Sequence, residues 1–385
     1  MDTVNIIGGG IGGLSLANAL HCAGIDFKLF EQAPQLTEVG AAIGISKAAL
    51  DILEILGLGE QVKNAGSETR NLHLSDKNLK VIRVISPEWP SVIIHRAKLL
   101  DILTSKLQKE KIQLNTKLTN LKSEKNFSIL KFSSGFEVNS FCTAIADGIQ
   151  STSRKQLFPE IKIRYAEQAI WRGITTMHLP DQYFQTYTEI WSDSKRFLFA
   201  PMDSNTICWL AVKNAEVGGQ DNPDTIRQEL IKEYHDFHPL VKELLLKSSN
   251  FIRNDLADLG VEKRKWYHDK IVFIGDAIHA TTPNLAQGGC QAIEDAYCLS
   301  LLMKKSKDDF SKIFPTYQSL RIKKVSFIVN TSWRFGKIAH NSLSSHLAKY
   351  FFKYAPNSSF TKLERKLNDL SYINHEQRTK LRGYE

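Results

Sequence analysis

Three glycines, Gly8, Gly10 and Gly13, stand in a Gly-x-Gly-x-x-Gly spacing with Gly12 beside the third, directly after the apolar run Val4-Asn5-Ile6-Ile7. Glycine at these places permits a tight turn, lets a pyrophosphate approach the backbone, and lets the next helix lie close on the strand. The N-terminus of that helix then offers N–H groups and a positive dipole end to the phosphates. An acid, Glu31, follows 18 residues after Gly13, at the end of the second run Phe27-Lys28-Leu29-Phe30. A carboxylate there accepts hydrogen bonds from both hydroxyls of an adenosine ribose and repels a 2′-phosphate. The expected ligand is a dinucleotide, FAD or NAD(H) rather than NADP.

A second constellation decides between those two. Asp276 closes the apolar run Lys270-Ile271-Val272-Phe273-Ile274-Gly275, and Gly288-Gly289 opens a helix shortly after it. A carboxylate at the carboxyl end of a strand suits a ribityl hydroxyl, and a glycine pair at a helix start offers N–H groups to an anionic ring edge. The whole run Gly275-Asp276-Ala277-Ile278-His279-Ala280-Thr281-Thr282-Pro283-Asn284-Leu285-Ala286-Gln287-Gly288-Gly289-Cys290 closely resembles the second FAD motif of the group A aromatic hydroxylases. That family includes salicylate, urate and para-hydroxybenzoate hydroxylases and the tetracycline-inactivating monooxygenases. Asp147-Gly148-Ile149-Gln150-Ser151-Thr152-Ser153-Arg154 resembles its middle motif, associated with both FAD and NAD(P)H, and Arg96 in His95-Arg96-Ala97-Lys98 resembles the arginine that contacts the flavin. The resemblance covers about residues 1 to 340.

It implies FAD held by Gly8, Gly10, Gly12, Gly13, Glu31, Gln32, Gly44, Arg96, Leu118, Asp147, Asp276, Ala286, Gln287, Gly288, Gly289 and Cys290. It also implies that NAD(P)H acts as a transient co-substrate without a fold of its own, and that O2 reacts with reduced flavin to give a C4a-hydroperoxide that hydroxylates a planar aromatic or heteroaromatic small molecule. One departure bears on the flavin ring: after Gly40-Ala41-Ala42-Ile43-Gly44, many members carry Pro-Asn where this chain has Lys47-Ala48. Arg172 and Arg196 resemble substrate-side positions of the urate-hydroxylase branch, and a guanidinium would suit a carboxylate or enolate. His279, Trp171, Trp191 and Trp209 read as structural groups before they read as catalytic or pocket residues. A flavin-dependent reductase or dehydrogenase, or a flavin-bound sequestrant without turnover, stands as the alternative. A halogenase is disfavoured because no Trp-x-Trp-x-Ile-Pro segment occurs.

The elements that must position these groups alternate strand and helix at first, as in a parallel α/β sheet. Helical patterns run from Ala48 to Leu56, stopped by Gly57, and from Ala97 to Leu107. Residues 111–146 turn strand-like around Ser133-Ser134-Gly135, and the stretch from about 155 to 265 alternates short β-rich runs with one helix near 222–235. The expected fold is α/β: a discontinuous Rossmann-like FAD-binding domain (1–70, 95–155, 268–330), an inserted mostly antiparallel β-sheet substrate domain (71–94, 156–267) and a C-terminal helical region (331–385). In that last region Leu343, Leu347, Tyr350 and Phe351 fall at helical spacing and predict a face docked on the body, with Lys349 and Lys353 outward. Residues beyond Lys324 are expected to serve packing rather than flavin chemistry.

Length and composition agree with a globular enzyme: 385 residues, 42% hydrophobic and 24% charged. No run reaches the ~18 apolar residues of a membrane span, the N-terminus lacks a secretory pattern, and the expected compartment is the cytoplasm. Five scattered cysteines without a C-x-x-C pair suggest free thiols and no metal site. The net charge of +9 is not a nucleic-acid footprint, because residues 300–385 hold 17 Lys+Arg against 6 Asp+Glu while the rest hold 33 against 35.

Overall fold

The computed structural model describes residues 3–36, 42–261, 264–306 and 309–373. Gly40 and Ala41 of the flavin-side glycine run lie outside the described residues. Val4–Ile7 is buried at every position and forms the centre of a sheet ordered Tyr267–His268, Ile271–Phe273, Cys142–Ile145, Val4–Ile7, Phe27–Phe30, Ile112–Gln113. Its four long-range pairings are parallel, as buried, continuously apolar strands require. Helices Ile11–Ala23 and Gly288–Ser306 pack against each other beside this sheet. Strand Ile271–Phe273 therefore returns to the N-terminal sheet from the far side of the chain, which brings Asp276 to the glycine turn.

A second sheet runs Ile252–Asp258, Arg164–Thr176, Thr206–Asn214, Lys195–Pro201, Thr186–Ser192, Asn71–Asp76, Val81–Ile85. It is antiparallel except where Thr186–Ser192 meets Asn71–Asp76. Side chains alternate between its faces. Trp171, Phe197, Phe199 and Trp209 point to a core shared with helices Ile226–Glu233 and Pro239–Leu246. The second of these helices was not anticipated from sequence, although Pro239 at its start and the His238 side chain accepting from Leu240 N–H are ordinary start signals. The other face carries Ile170, Tyr187, Leu198, Ala200, Met202, Leu210 and Val212. It meets Ala42 and Ile93 of the small sheet Ala42–Ile45, Ser91–His95, Ser67–Thr69.

The C-terminal third is helical: Phe310–Ala339, Ser342–Tyr354 and Asn357–Leu367. Two expectations fail here. Helix Phe310–Ala339 runs through Lys324 without a break and joins the second cofactor motif: Ser332 Oγ donates to Thr282 O at 2.6 Å, and Asn284 Nδ2 donates to Ser332 O at 2.9 Å. Helix Ser342–Tyr354 docks through Ser345, Ala348 and Phe352, with Phe352 edge-on to buried Trp191 at 5.6 Å. Leu347, Tyr350 and Phe351, expected to dock, face outward at 67%, 68% and 61% exposure. Helical spacing reveals that a stripe exists, but the aromatic partner chooses the face, and Trp191 selects Phe352.

Candidate active site

The first glycine turn is built by close contact. Gly8 holds φ +107°, a conformation that side chains resist, and a Cβ on Gly13 would collide with Gly8 O. Glu31 braces the turn: its Oε2 accepts from Gly9 N–H at 2.5 Å and its Oε1 from Ala33 N–H at 2.8 Å. Each oxygen keeps a lone pair for a further donor.

Behind the second motif lies a buried ionic network that sequence reading missed. Asp295 Oδ2 accepts from Gly275 N–H at 2.9 Å and meets His279 Nε2 at 2.5 Å, while Asp295 Oδ1 accepts from Arg321 Nε at 2.8 Å. Arg321 continues to Glu294 at 2.6 Å, which also takes Lys324. Burial works to raise the Asp295 pKa, but His279 and Arg321 outweigh it and hold the carboxyl at about 2. His279 is thus a clamp on the turn before Asp276, and its ring is committed to Asp295. Arg154 of the middle motif is likewise fully buried, donating to Ala277 O at 2.8 Å and Ile149 O at 2.5 Å, and it ties the two motifs together.

These elements enclose a cavity of about 540 Å³. Of the sequence-predicted residues, Gly8, Gly10, Gly12, Glu31, Gln32, Arg96, Leu118, Asp147, Asp276, Gly288 and Gly289 line it. Gly13 lies beneath the turn; exposed Ala286, part-buried Gly44 and buried Gln287 and Cys290 are not on its lining, and Cys290 Sγ takes Ser46 N–H at 3.4 Å. Gln150 and Thr152 of the middle motif and Ile43 of the flavin-side run line it as well, and so do Thr116 and Lys117, which were not foreseen. Thr116 and Lys117 arrive because Thr116 N–H bonds Glu31 O, a long-range pairing with no local signal.

The cavity's chemistry fits FAD. A Cβ on Gly10 would meet nothing within 4 Å, so the turn's face is open to a phosphate. Asp147 Oδ1 is buried on the cavity wall without a protein partner. Burial raises the Asp147 pKa against the opposing hydrogen bonds from Ser151 and the backbone. Asp276 lines the same cavity; the protein packed around it raises its pKa, while His279 and Arg96 pull it back. Carboxyls held in this way await hydroxyl donors.

The two arginines part company. Both sit on the sheet face turned toward the cofactor lobe, since Arg172 lies opposite Leu210 and Arg196 opposite Val212. Arg196 is buried and its donors are taken: Nε donates to His340 Nε2 at 2.9 Å, Nη1 to Glu189 Oε1 at 3.1 Å, and Nη2 to Asn284 Oδ1 at 2.5 Å. It joins the substrate sheet, the cofactor motif and the end of helix Phe310–Ala339. Burial and the adjacent guanidinium depress the His340 pKa to about 3, so the imidazole is neutral, with Nδ1–H directed to Ser194 O at 3.0 Å. Arg172 is half-buried and bonds Asn254. Trp171, Trp191 and Trp209 do not form an aromatic pocket: their indole N–H groups bond Asp221, Glu189 and Ser248, and their rings belong to packed cores. At the Lys47-Ala48 departure, Ala48 N–H is capped by Asn368 Oδ1 at 3.1 Å, and Lys47 pairs with Asp51.

Comparison with known proteins agrees with this arrangement. The FAD binding domain family matches residues 1–324. The chain is 34% identical over 350 residues to an aurachin C monooxygenase/isomerase of Stigmatella aurantiaca, covering 87% of this chain and 89% of that protein. It is 27% identical to the 2-heptyl-3-hydroxy-4(1H)-quinolone synthase of Pseudomonas aeruginosa, covering 95% and 97% of the two chains. In fold it resembles Klebsiella pneumoniae HpxO, solved with FAD and uric acid, at TM-score 0.86 and 21% identity over 95% of this chain and 96% of that one. Matched by this family over most of its length and by a relative at 34% identity, the chain belongs to the FAD-dependent aromatic hydroxylases, enzymes built on the FAD binding domain.

Proposed function

We propose that this enzyme is a single-component monooxygenase that takes electrons from NAD(P)H and hydroxylates a planar, uncharged heteroaromatic ring, with the 4-quinolone type as the favoured class. The observation that carries the reading is the apolar cluster on the sheet face turned toward the cofactor lobe, beside an Arg196 already matched by a carboxylate. Arg196 is matched by Glu189, and on the same face Tyr187, Ala200, Met202 and Cys208 form an apolar cluster with Ile93 and Ala42. A buried carboxylate without a matched cation would be costly there, whereas a neutral ring buries apolar surface at no such cost. The relatives named for aurachin C and for a 3-hydroxy-4(1H)-quinolone support the same class.

Bound FAD supplies the redox chemistry, passing electrons from NAD(P)H to O2 and delivering one oxygen atom to the ring. The chain's residues bind and orient. In this reading Glu31 takes the adenosine ribose hydroxyls and Asp276 a ribityl hydroxyl; the N–H groups at Gly288 and Gly289 face the ring edge, and Arg96 balances charge near Asp276. Tyr187 keeps its proton because burial, with Glu189 adding to it, moves its pKa well up. Its hydroxyl is thus a neutral donor suited to a ring carbonyl. The sheet excludes water from the reacting face.

The test is NADH and NADPH oxidation by the FAD-loaded enzyme in air, with 2-alkyl-4-quinolones, hydroxybenzoates, purines and tetracyclines offered in turn. Stimulation by quinolones above the carboxylated rings is expected. Stimulation by hydroxybenzoates alone would overturn the substrate class, and turnover indifferent to oxygen would make the enzyme a reductase.

A further inference from the structure

Among the described residues, helix Ser342–Tyr354 turns outward an apolar stripe that no other element covers. Leu347, Tyr350, Phe351 and Tyr354, spaced one helical turn apart, are 61–68% exposed, and Tyr350 and Tyr354 stack on one another at 4.6 Å between centroids. A stripe of this size on a convex helix is not explained by the fold, because the opposite face already anchors through Phe352, Ala348 and Ser345. The chain around it is cationic, with Glu88 set against Arg365 and with Asp193 and Asp76 near Lys349 as the carboxylates that other elements bring. Residues 331–367 contain seven Lys and Arg and a single carboxylate, Glu364, which is spent on Glu88 N–H and Trp89 N–H. Lys353 flanks the stripe on its own helix, Lys337 and Ile338 are exposed on the turn before it, and Lys362 and Lys366 are exposed on the helix after it.

We propose that this surface docks on an anionic lipid bilayer, with the stripe buried at the headgroup boundary and the lysines against the lipid phosphates. A second copy of the chain is the poorer occupant, since a two-fold contact would set one cationic surface against another. A bilayer instead neutralises the charge that surrounds the stripe. Tyrosines with one apolar flank and a polar tip suit that boundary, and a short amphipathic helix with basic neighbours is the form that lies in its plane. No helix among the described residues is long and apolar enough to cross a membrane, so the attachment is peripheral.

The test uses the FAD-loaded full chain in sedimentation with phosphatidylcholine vesicles, with and without phosphatidylglycerol. Binding is expected to the mixed vesicles, to weaken at high salt, and to drop about fivefold in the Lys353→Gln variant, since each lysine near an anionic surface contributes ~1 kcal/mol. The Leu347→Ser/Phe351→Ser double variant should lose it while keeping its FAD and its NAD(P)H oxidation rate in detergent-free solution. Absence of binding to anionic vesicles, or equal binding by the double variant, overturns the proposal. So does concentration-dependent self-association that the double variant abolishes, which would assign the stripe to a second copy.

Discussion

Arg196 and Arg172 occupy one sheet face yet carry different predictions. Removing the Arg196 side chain leaves Glu189 buried without its cation, so Arg196→Ala should cost about 3–5 kcal/mol of stability. A denaturation midpoint will register this before any kinetic assay does. Arg172→Ala should leave the FAD content unchanged and instead raise substrate KM or divert electrons to hydrogen peroxide. Asp276→Ala should weaken FAD retention by about 1.5–3 kcal/mol, the range of a hydrogen bond to a charged group, and calorimetry of the FAD-free protein measures it. His340 adds a pH dependence. Its folded pKa of about 3 lies below the ordinary 6.5, so the unfolded chain takes up the proton first and stability falls as pH drops from 6.5 toward 3. His340→Gln should lack that part of the acid-unfolding profile while still accepting from Arg196. Gly8, Gly13, Glu31 and Asp276 were legible in the sequence because a turn, a close approach or a strand end imposes each residue locally. The partners of Arg196 were not legible, because Asn284 and His340 stand 88 and 144 residues away.

At the scale of elements, the cofactor lobe depends on a helix that sequence reading had divided at residue 330 between that lobe and a C-terminal region. Helix Phe310–Ala339 supplies Arg321 and Lys324 to the carboxylates of helix Gly288–Ser306 and Ser332 to the motif loop. Truncation after Lys324 should therefore abolish FAD retention as well as solubility, and the absorbance ratio of any soluble fraction reports it. Asp295→Asn should lower stability by about 3 kcal/mol by uncovering part of the Arg321 charge. Because the folded pKa of Asp295 is about 2 against an ordinary 3.8, its contribution is complete above 3.8 and is lost as pH falls toward 2. The variant's acid titration should be flat in that window. The parallel sheet and the inserted antiparallel one were readable from the change between continuous and alternating apolar runs. The face that helix Ser342–Tyr354 docks was not, since Phe352 and Phe351 are equivalent to a periodicity argument and only Trp191 tells them apart.

On the scale of the whole molecule, the chain folds a cofactor lobe from three separated stretches, closes it with a sheet whose outer face has its own core, and gathers its positive charge at one end. The first two features set an open cofactor cavity beside the second sheet; the third lies on helices that also brace the cavity, so charge and cofactor binding share a scaffold. Family membership settles FAD chemistry, while the proposed oxygen transfer to a quinolone ring carries its own prediction. Product mass after turnover of a 2-alkyl-4-quinolone with NAD(P)H under ¹⁸O2 tests this most directly. A hydroxylated product carrying one labelled oxygen is the predicted result, and an unlabelled product, or turnover that proceeds without oxygen, would contradict it.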